Sequence, residues 1–239
     1  MLWTRMRDDM KKALTPRQLA RVRCLLKGKP LPRWGNLRRL QPFSTDFGFD
    51  RGTPIDRFYL NRFFDLHRQA ITGDVLEIQT PMYTRIFGHD VRTEHAVDIN
   101  PASKATYVCD LARSDGIIPT DRYDCFLLPN TLCVLRDIDG CLHHALRVVK
   151  PGGVILATTA AFVPLTPDDP DYWHLSADGW REVVARVWTG LDVEVEAHGN
   201  CLAAVAAMMQ LAVEELSDSE LEKHDPRYPV LVTIKCVKR

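Results

Sequence analysis

Apolar residues recur along this chain in two rhythms. Short unbroken apolar runs, of the kind that form strands covered on both faces, recur near 74–79, 94–99, 106–109, 123–128, 153–159, 192–197 and 230–237. Elsewhere apolar positions recur at helical spacing. Phe58, Tyr59, Phe63, Leu66 and Ile71 predict a helix over about 55–70, and others are predicted near 137–149, 177–189 and 201–216. Thr15-Pro16 supplies an N-cap followed by proline at the first helical position. A basic helix should therefore run to about Lys27, with Leu19, Val22, Leu25 and Leu26 on one face, and Gly28 and Pro30 should end it. Residues 28–54, rich in Gly, Pro and Arg, predict an irregular segment. Strand–helix alternation predicts an α/β fold. It should be a Rossmann-like, seven-stranded, mostly parallel sheet with helices on both faces and an N-terminal helical extension. The expected division is a basic extension over 1–54 and the α/β domain over 55–239.

Three successive strands carry an acid at or near their ends: Val75-Leu76-Glu77-Ile78, His95-Ala96-Val97-Asp98 and Tyr107-Val108-Cys109-Asp110. At the C-terminal edge of a parallel sheet, such acids meet the hydroxyls and amines of a nucleoside cofactor. Glu77 at a buried strand end needs a partner, either a ligand or a turn that it caps. The loop that follows, Gln79-Thr80-Pro81-Met82-Tyr83, lacks the GxGxxG pattern. A pyrophosphate needs the close backbone approach that those glycines allow, so a cofactor such as NAD is disfavoured. Asp98 suits the vicinal diol of a ribose, and Asp110, followed by Leu111, suits an adenine amino group. The plainer reading of each aspartate alone is a turn former.

Charge and cysteine usage narrow the classes. The net charge is zero, which argues against a general nucleic-acid binder. The distribution is uneven: residues 1–40 hold 12 Lys/Arg against two Asp/Glu, and the other 199 residues hold 19 against 29. The basic stretch either meets an anionic partner or docks on the acidic remainder. The seven cysteines are scattered without a CxxC, so neither a disulfide framework nor a metal site is expected, and a reducing, cytoplasmic setting is. No membrane span is expected, because the most apolar run, Cys201 to Val213, is too short for one.

A family resemblance enters with the strands just named, together with Tyr123-Asp124-Cys125-Phe126-Leu127-Leu128 and Leu146-Arg147-Val148-Val149-Lys150-Pro151-Gly152-Gly153. Together they resemble the class I S-adenosylmethionine-dependent methyltransferases, the helix running into KPGG before an apolar strand above all. Arg33 to Arg39, Phe47 to Tyr59 and Tyr83 to Gly88 are similar to a bacterial subgroup. That subgroup accompanies glycosyltransferases and natural-product or cell-surface glycan pathways, including antibiotic biosynthesis. The resemblance spans about residues 31–239 and implies S-adenosyl-L-methionine as cofactor and S-adenosyl-L-homocysteine as product. It implies that Glu77, with Ile78 and Gln79, lies near the methionine ammonium. Asp98 would hold the ribose with Ile99 against adenine, and Asp110 and Leu111 would line the adenine edge. Asn130 would line the methionyl side, and Arg57 and Tyr59 would lid the cofactor, Arg57 pairing its carboxylate. The chain departs from the pattern at Gln79-Thr80-Pro81, where the family carries glycines, and at Pro129-Asn130.

Methyl transfer is an in-line displacement in which positioning dominates. A hydroxyl acceptor benefits from a general base. His174, in Asp171-Tyr172-Trp173-His174, is the candidate base, with Tyr172 and Trp173 as substrate contacts; the plainer reading of His174 is a packing residue. The expected activity is O-methylation, at a hydroxyl or carboxylate, of a sugar or natural product. The alternatives are a catalytically degenerate, cofactor-binding partner of a glycosyltransferase and a nucleic-acid methyltransferase. The helix predicted near 201–216 is apolar nearly all round, which implies core packing, a homodimer face or a lid.

Overall fold

The computed structural model describes residues 14–29, 31–165 and 170–239. The chain divides into two compact units, 1–41 and 42–239. In the first, helix α1 spans Pro16–Leu26. The Thr15 hydroxyl accepts from the Gln18 backbone N–H at 3.3 Å, and Gln18 Oε1 accepts from the Thr15 N–H at 2.8 Å, a reciprocal capping box. Gly28, at φ 64°, closes the helix as expected.

The second unit is built on one seven-stranded sheet. Its strands are β1 (Gly73–Ile78), β2 (Val91–Asp98), β3 (Tyr107–Val108), β4 (Tyr123–Leu128), β5 (Val149–Ala160), β6 (Asp192–His198) and β7 (Leu231–Val237). The spatial order is β3-β2-β1-β4-β5-β7-β6. The first five strands pair in parallel, and β7 enters antiparallel between β5 and β6. The helices are α2 (Ile55–Leu66), α3 (Met82–Phe87), α4 (Ile138–Val148), α5 (Ala177–Val187), α6 (Cys201–Met208) and α7 (Asp218–Glu222). No helix among the described residues is long and apolar enough to cross a membrane.

Strand alternation sends neighbouring residues into two cores. Leu76, Phe126 and Ile155 pack with Cys141, Leu142, Trp180 and Trp188 on the α4/α5 side. Val75, Cys125, Leu127 and Leu156 pack with Leu60, Phe63, Phe64 and Ala203 on the α2/α6 side. Covering both faces explains why these strands show unbroken apolar runs rather than alternation.

The N-terminal edge of the sheet is tied by charge. Asp74 accepts from Arg92 at 3.0 Å, Thr93 at 2.9 Å and Lys150 at 3.1 Å, and Arg122 lies 2.7 Å away. Burial alone would raise its pKa, but these bonds outweigh it and hold the carboxyl well below its ordinary range. Lys150 also reaches Asp124 at 2.9 Å. The predicted KPGG turn is an irregular start of β5, where the register against β4 shifts, and its lysine reaches acids on β1 and β4. A Cβ on Gly153 would stand 2.6 Å from Val149 Cγ1 and 2.9 Å from the Asp124 carbonyl oxygen, so this start needs glycine there.

Three expectations are corrected. The predicted helix over 201–216 stops at Met208. There Gln210 turns to φ 54° and its Oε1 accepts from the Phe47 N–H at 2.9 Å, and the Val213 N–H donates to the Thr53 carbonyl at 2.7 Å. A tertiary contact overrides the local period. The helix over 55–70 ends at Leu66, followed by a 3₁₀ turn, Arg68–Ala70. Residues 42–54 group with the larger unit rather than with the basic extension. Arg51 pairs with Glu215, and Thr53 bonds Glu214.

Candidate functional site

The ends of β1, β2, β3 and β4 lie side by side, because their ladders run in register to the same edge. Ile78 sits opposite Val97, Asp98 opposite Val108, and Glu77 opposite Leu127. Beyond the ladders, the Gln79 N–H donates to the Val97 carbonyl at 2.8 Å and the Cys109 N–H to the Asp98 carbonyl at 2.9 Å. This brings Ile78, Gln79, Asp98, Ile99, Asp110 and Asn130 to one rim.

Their individual roles differ. Glu77 is 1% exposed, and both its oxygens engage the start of α3. Oε1 accepts from the Tyr83 N–H at 2.9 Å, and Oε2 from the Thr84 N–H at 2.8 Å and its hydroxyl at 2.7 Å. Burial raises its pKa, and the three donors oppose that. Glu77 therefore anchors the loop: of its two readings, the capping one describes the geometry. Gln79 sits at φ 64°, where glycine is at home, and carries an exposed side chain. Asp98 is half-buried; Oδ1 accepts from the Asn100 N–H at 3.0 Å, and among the described residues its second oxygen has no protein donor. Asp110 caps the 3₁₀ turn Leu111–Arg113 through the Ala112 N–H at 3.0 Å. Ile99 is exposed, but Leu111 is buried in the α4/α5 core, a correction to its expected place along the adenine edge.

A cavity of about 210 Å³ opens beside the ends of β4 and β5, lined in part by Phe47, Phe49, Asp56, Arg57, Asp171 and His174, with Asn130 at its wall. Asn130, at φ 45°, is locked by a double contact with Thr158: its N–H donates to Oγ1 at 2.9 Å, and Thr158 Oγ1 donates to its Oδ1 at 3.1 Å. Its amide then donates to Asp56 at 2.5 Å, and Asp56 lies 3.5 Å from the Arg57 guanidinium. On the other wall, His174 Nδ1 lies 3.2 Å from the Ala161 carbonyl, and Nε2 is buried 3.5 Å from Asp171 Oδ1. Burial first, and the Asp171 charge next, push the Cys133 thiol up to about 11, so it is no nucleophile at neutral pH.

The other aromatic candidates lie outside the cavity lining. Tyr172 is exposed, and its N–H donates to the Cys133 carbonyl at 2.7 Å. Trp173 packs against the α4/α5 core and donates from Nε1 to the Leu135 carbonyl at 2.7 Å. Only His174 of the three lines the cavity. Tyr59 points into the α2/α6 core, where its hydroxyl donates to the Leu221 carbonyl at 2.9 Å, and burial pushes its pKa up to about 12. It borders a separate groove at the free edge of β6, not the acid-lined rim. The residues that sequence reasoning missed are Asp56 and Asp171. Each stands close in sequence to a chosen residue, Asp56 beside Arg57 and Asp171 three before His174, which was the available signal.

No protein-family model and no curated protein matches the sequence. Solved structures do match. The plantazolicin methyltransferase BamL, in complex with a triazolic desmethylPZN analog and SAH, is 11% identical with a TM-score of 0.53, over 79% of this chain and 87% of that one. The [4+2]-cyclase SpnF is 13% identical with a TM-score of 0.51, over 92% of this chain and 93% of that one. A SAM-dependent methyltransferase from Archaeoglobus fulgidus is 15% identical with a TM-score of 0.47, over 76% and 90%. With the sheet order described above, the likeness to the first two identifies the architecture: the chain has the α/β fold of the class I S-adenosylmethionine-dependent methyltransferases.

Proposed function

We propose that the protein binds S-adenosylmethionine and methylates oxygen, at a hydroxyl or carboxylate, on a sugar or natural product. The observation that carries this reading is the grouping of Asn130, Asp56, Arg57, Asp171 and His174 around one cavity next to the acid-lined rim. The residues fit the cofactor. Asp98 offers a carboxylate oxygen to a ribose diol. Arg57 offers a guanidinium to an amino-acid carboxylate, and Asn130, fixed through Thr158, presents a polar wall. When bound, S-adenosylmethionine supplies an electrophilic methyl group on a sulfonium centre. The chain's own contribution is to orient the acceptor, exclude water with Phe47, Phe49 and Val163, and take up a proton. The Asp171–His174 pair is the proton acceptor for a hydroxyl, while a carboxylate acceptor needs none. The cavity is smaller than a whole drug-sized ligand requires, so it suits the reacting end of an acceptor whose remainder lies outside.

The second reading, a cofactor-binding protein without methyl transfer, is favoured by Gln79 in place of a loop glycine and by the burial of His174 Nε2. SpnF, named for a cyclisation, has the same fold, so fold alone does not fix the reaction. Calorimetry with S-adenosylmethionine and S-adenosylhomocysteine tests both readings, since no binding of either would sink them together. Labelled methyl transfer to a panel of sugars and phenols then separates one from the other.

Seven scattered cysteines without a CxxC support a reducing, cytoplasmic setting. Exposed Leu202, Val205 and Met208 on α6 support a homodimer face, which sedimentation velocity on wild type and Val205→Glu would test.

A further inference from the structure

We propose that residues 14–41 form a peripheral docking unit for an anionic lipid surface, a role independent of the methyl-transfer reading. From Met10 to Thr45 the chain carries ten Lys/Arg and no Asp or Glu. Within this stretch there is no carboxylate to neutralise the cations, and counter-charge must come from elsewhere. The apolar side chains are equally short of cover. No residue of α1 is buried. Leu25 and Leu26 are 59% and 68% exposed, and Leu31, Trp34, Leu37 and Leu40 are exposed beyond the helix.

The arrangement of these groups selects the occupant. Leu19, Val22, Leu25 and Leu26 share one face of α1, with Arg21 and Arg23 on its two flanks. A flat-lying helix buries such a face at the headgroup boundary while flanking arginines reach the phosphates. Trp34 adds the amphipathic ring that favours the same depth. A nucleic-acid backbone would satisfy the cations but offers the leucines nothing. The capping box of Thr15 and Gln18 and the Pro16 start hold the helix in advance, which lowers the ordering entropy on binding.

The test is co-sedimentation of the full chain with phosphatidylcholine vesicles, with and without phosphatidylglycerol, in rising salt. Binding is expected only to the anionic vesicles and should weaken as salt screens it. Joint replacement Arg21→Gln and Arg23→Gln should weaken partitioning about thirtyfold. Leu25→Ser with Leu26→Ser should weaken it by about tenfold or more. None of the four residues is buried, so thermal unfolding should be unchanged in both variants. Absence of binding to anionic vesicles overturns the proposal. So does binding that the leucine pair leaves undiminished, and so does retention of the protein by an RNA duplex when vesicles fail to retain it.

Discussion

Both edges of the sheet carry acids, and they treat them differently. At the N-terminal edge, Asp74 and Asp124 are saturated by Arg92, Arg122 and Lys150. At the C-terminal edge, Asp98 and Asp110 each accept one backbone N–H of their own turn, whereas Asp56, held by Asn130 and Arg57, and Asp171, beside His174, line a cavity. A carboxylate surrounded by the protein's own cations is part of the scaffold. One with a single local donor has acceptor capacity left.

The largest effect should come from breaking the saturated edge. Asp74→Asn leaves Arg122 without its carboxylate and Arg92 and Lys150 with Asp124 alone, and should cost about 2 kcal/mol, read from the urea midpoint. The pH dependence has a fixed sign. Asp74 and Asp124 are held below their ordinary range, so their contribution is complete above that range and is lost as pH falls through the folded values. Acid unfolding curves should therefore be flatter for Asp74→Asn than for wild type. At the other edge, His174→Ala should slow transfer to a hydroxyl by about a hundredfold without lowering the melting temperature by more than about 3 °C. Undiminished turnover would return His174 to a packing role. Asp98→Ala should weaken S-adenosylmethionine binding by about thirtyfold in calorimetry, with stability unchanged. A stability loss as large as that of Asp74→Asn would erase the distinction between the edges. The smallest effect is expected at Gln79→Gly. Relief of the left-handed backbone and the added freedom of the unfolded chain nearly cancel, giving a gain of about 0.5 kcal/mol in the same urea series.

Much of the scaffold was legible because its signals are local. Val75-Leu76 and Cys125-Phe126-Leu127 announce strands covered on both faces, and Thr15-Pro16 announces a helix start. The KPGG stretch marked the N-terminal end of β5, and the acids at 98 and 110 marked the opposite ends of β2 and β3. What was not legible depends on distant partners. Tyr59 and Arg57 sit two apart on α2, and only the packed helix shows that one enters the core while the other meets Asn130's neighbour Asp56. The break after Met208 follows from Phe47 and Thr53, some 160 residues earlier in the chain, so no window on the helix itself reveals it. Asp171 became visible only when the loop after β5 folded back onto Cys133.

The place of β7 has a kinetic consequence. It is the last strand in chain order, yet it lies between β5 and β6, and among the described strands it alone pairs with β6. As the chain emerges during synthesis, β5 has one open edge and β6 has no strand partner until residues 231–237 arrive. The backbone N–H and C=O groups along the β7 side of Val154–Ala160 are then unpaired, an aggregation hazard while it lasts. Closure of the sheet is thus a late, long-range event. Substitutions that weaken β7, such as Ile234→Thr, should lower soluble yield more than their effect on the finished fold would indicate.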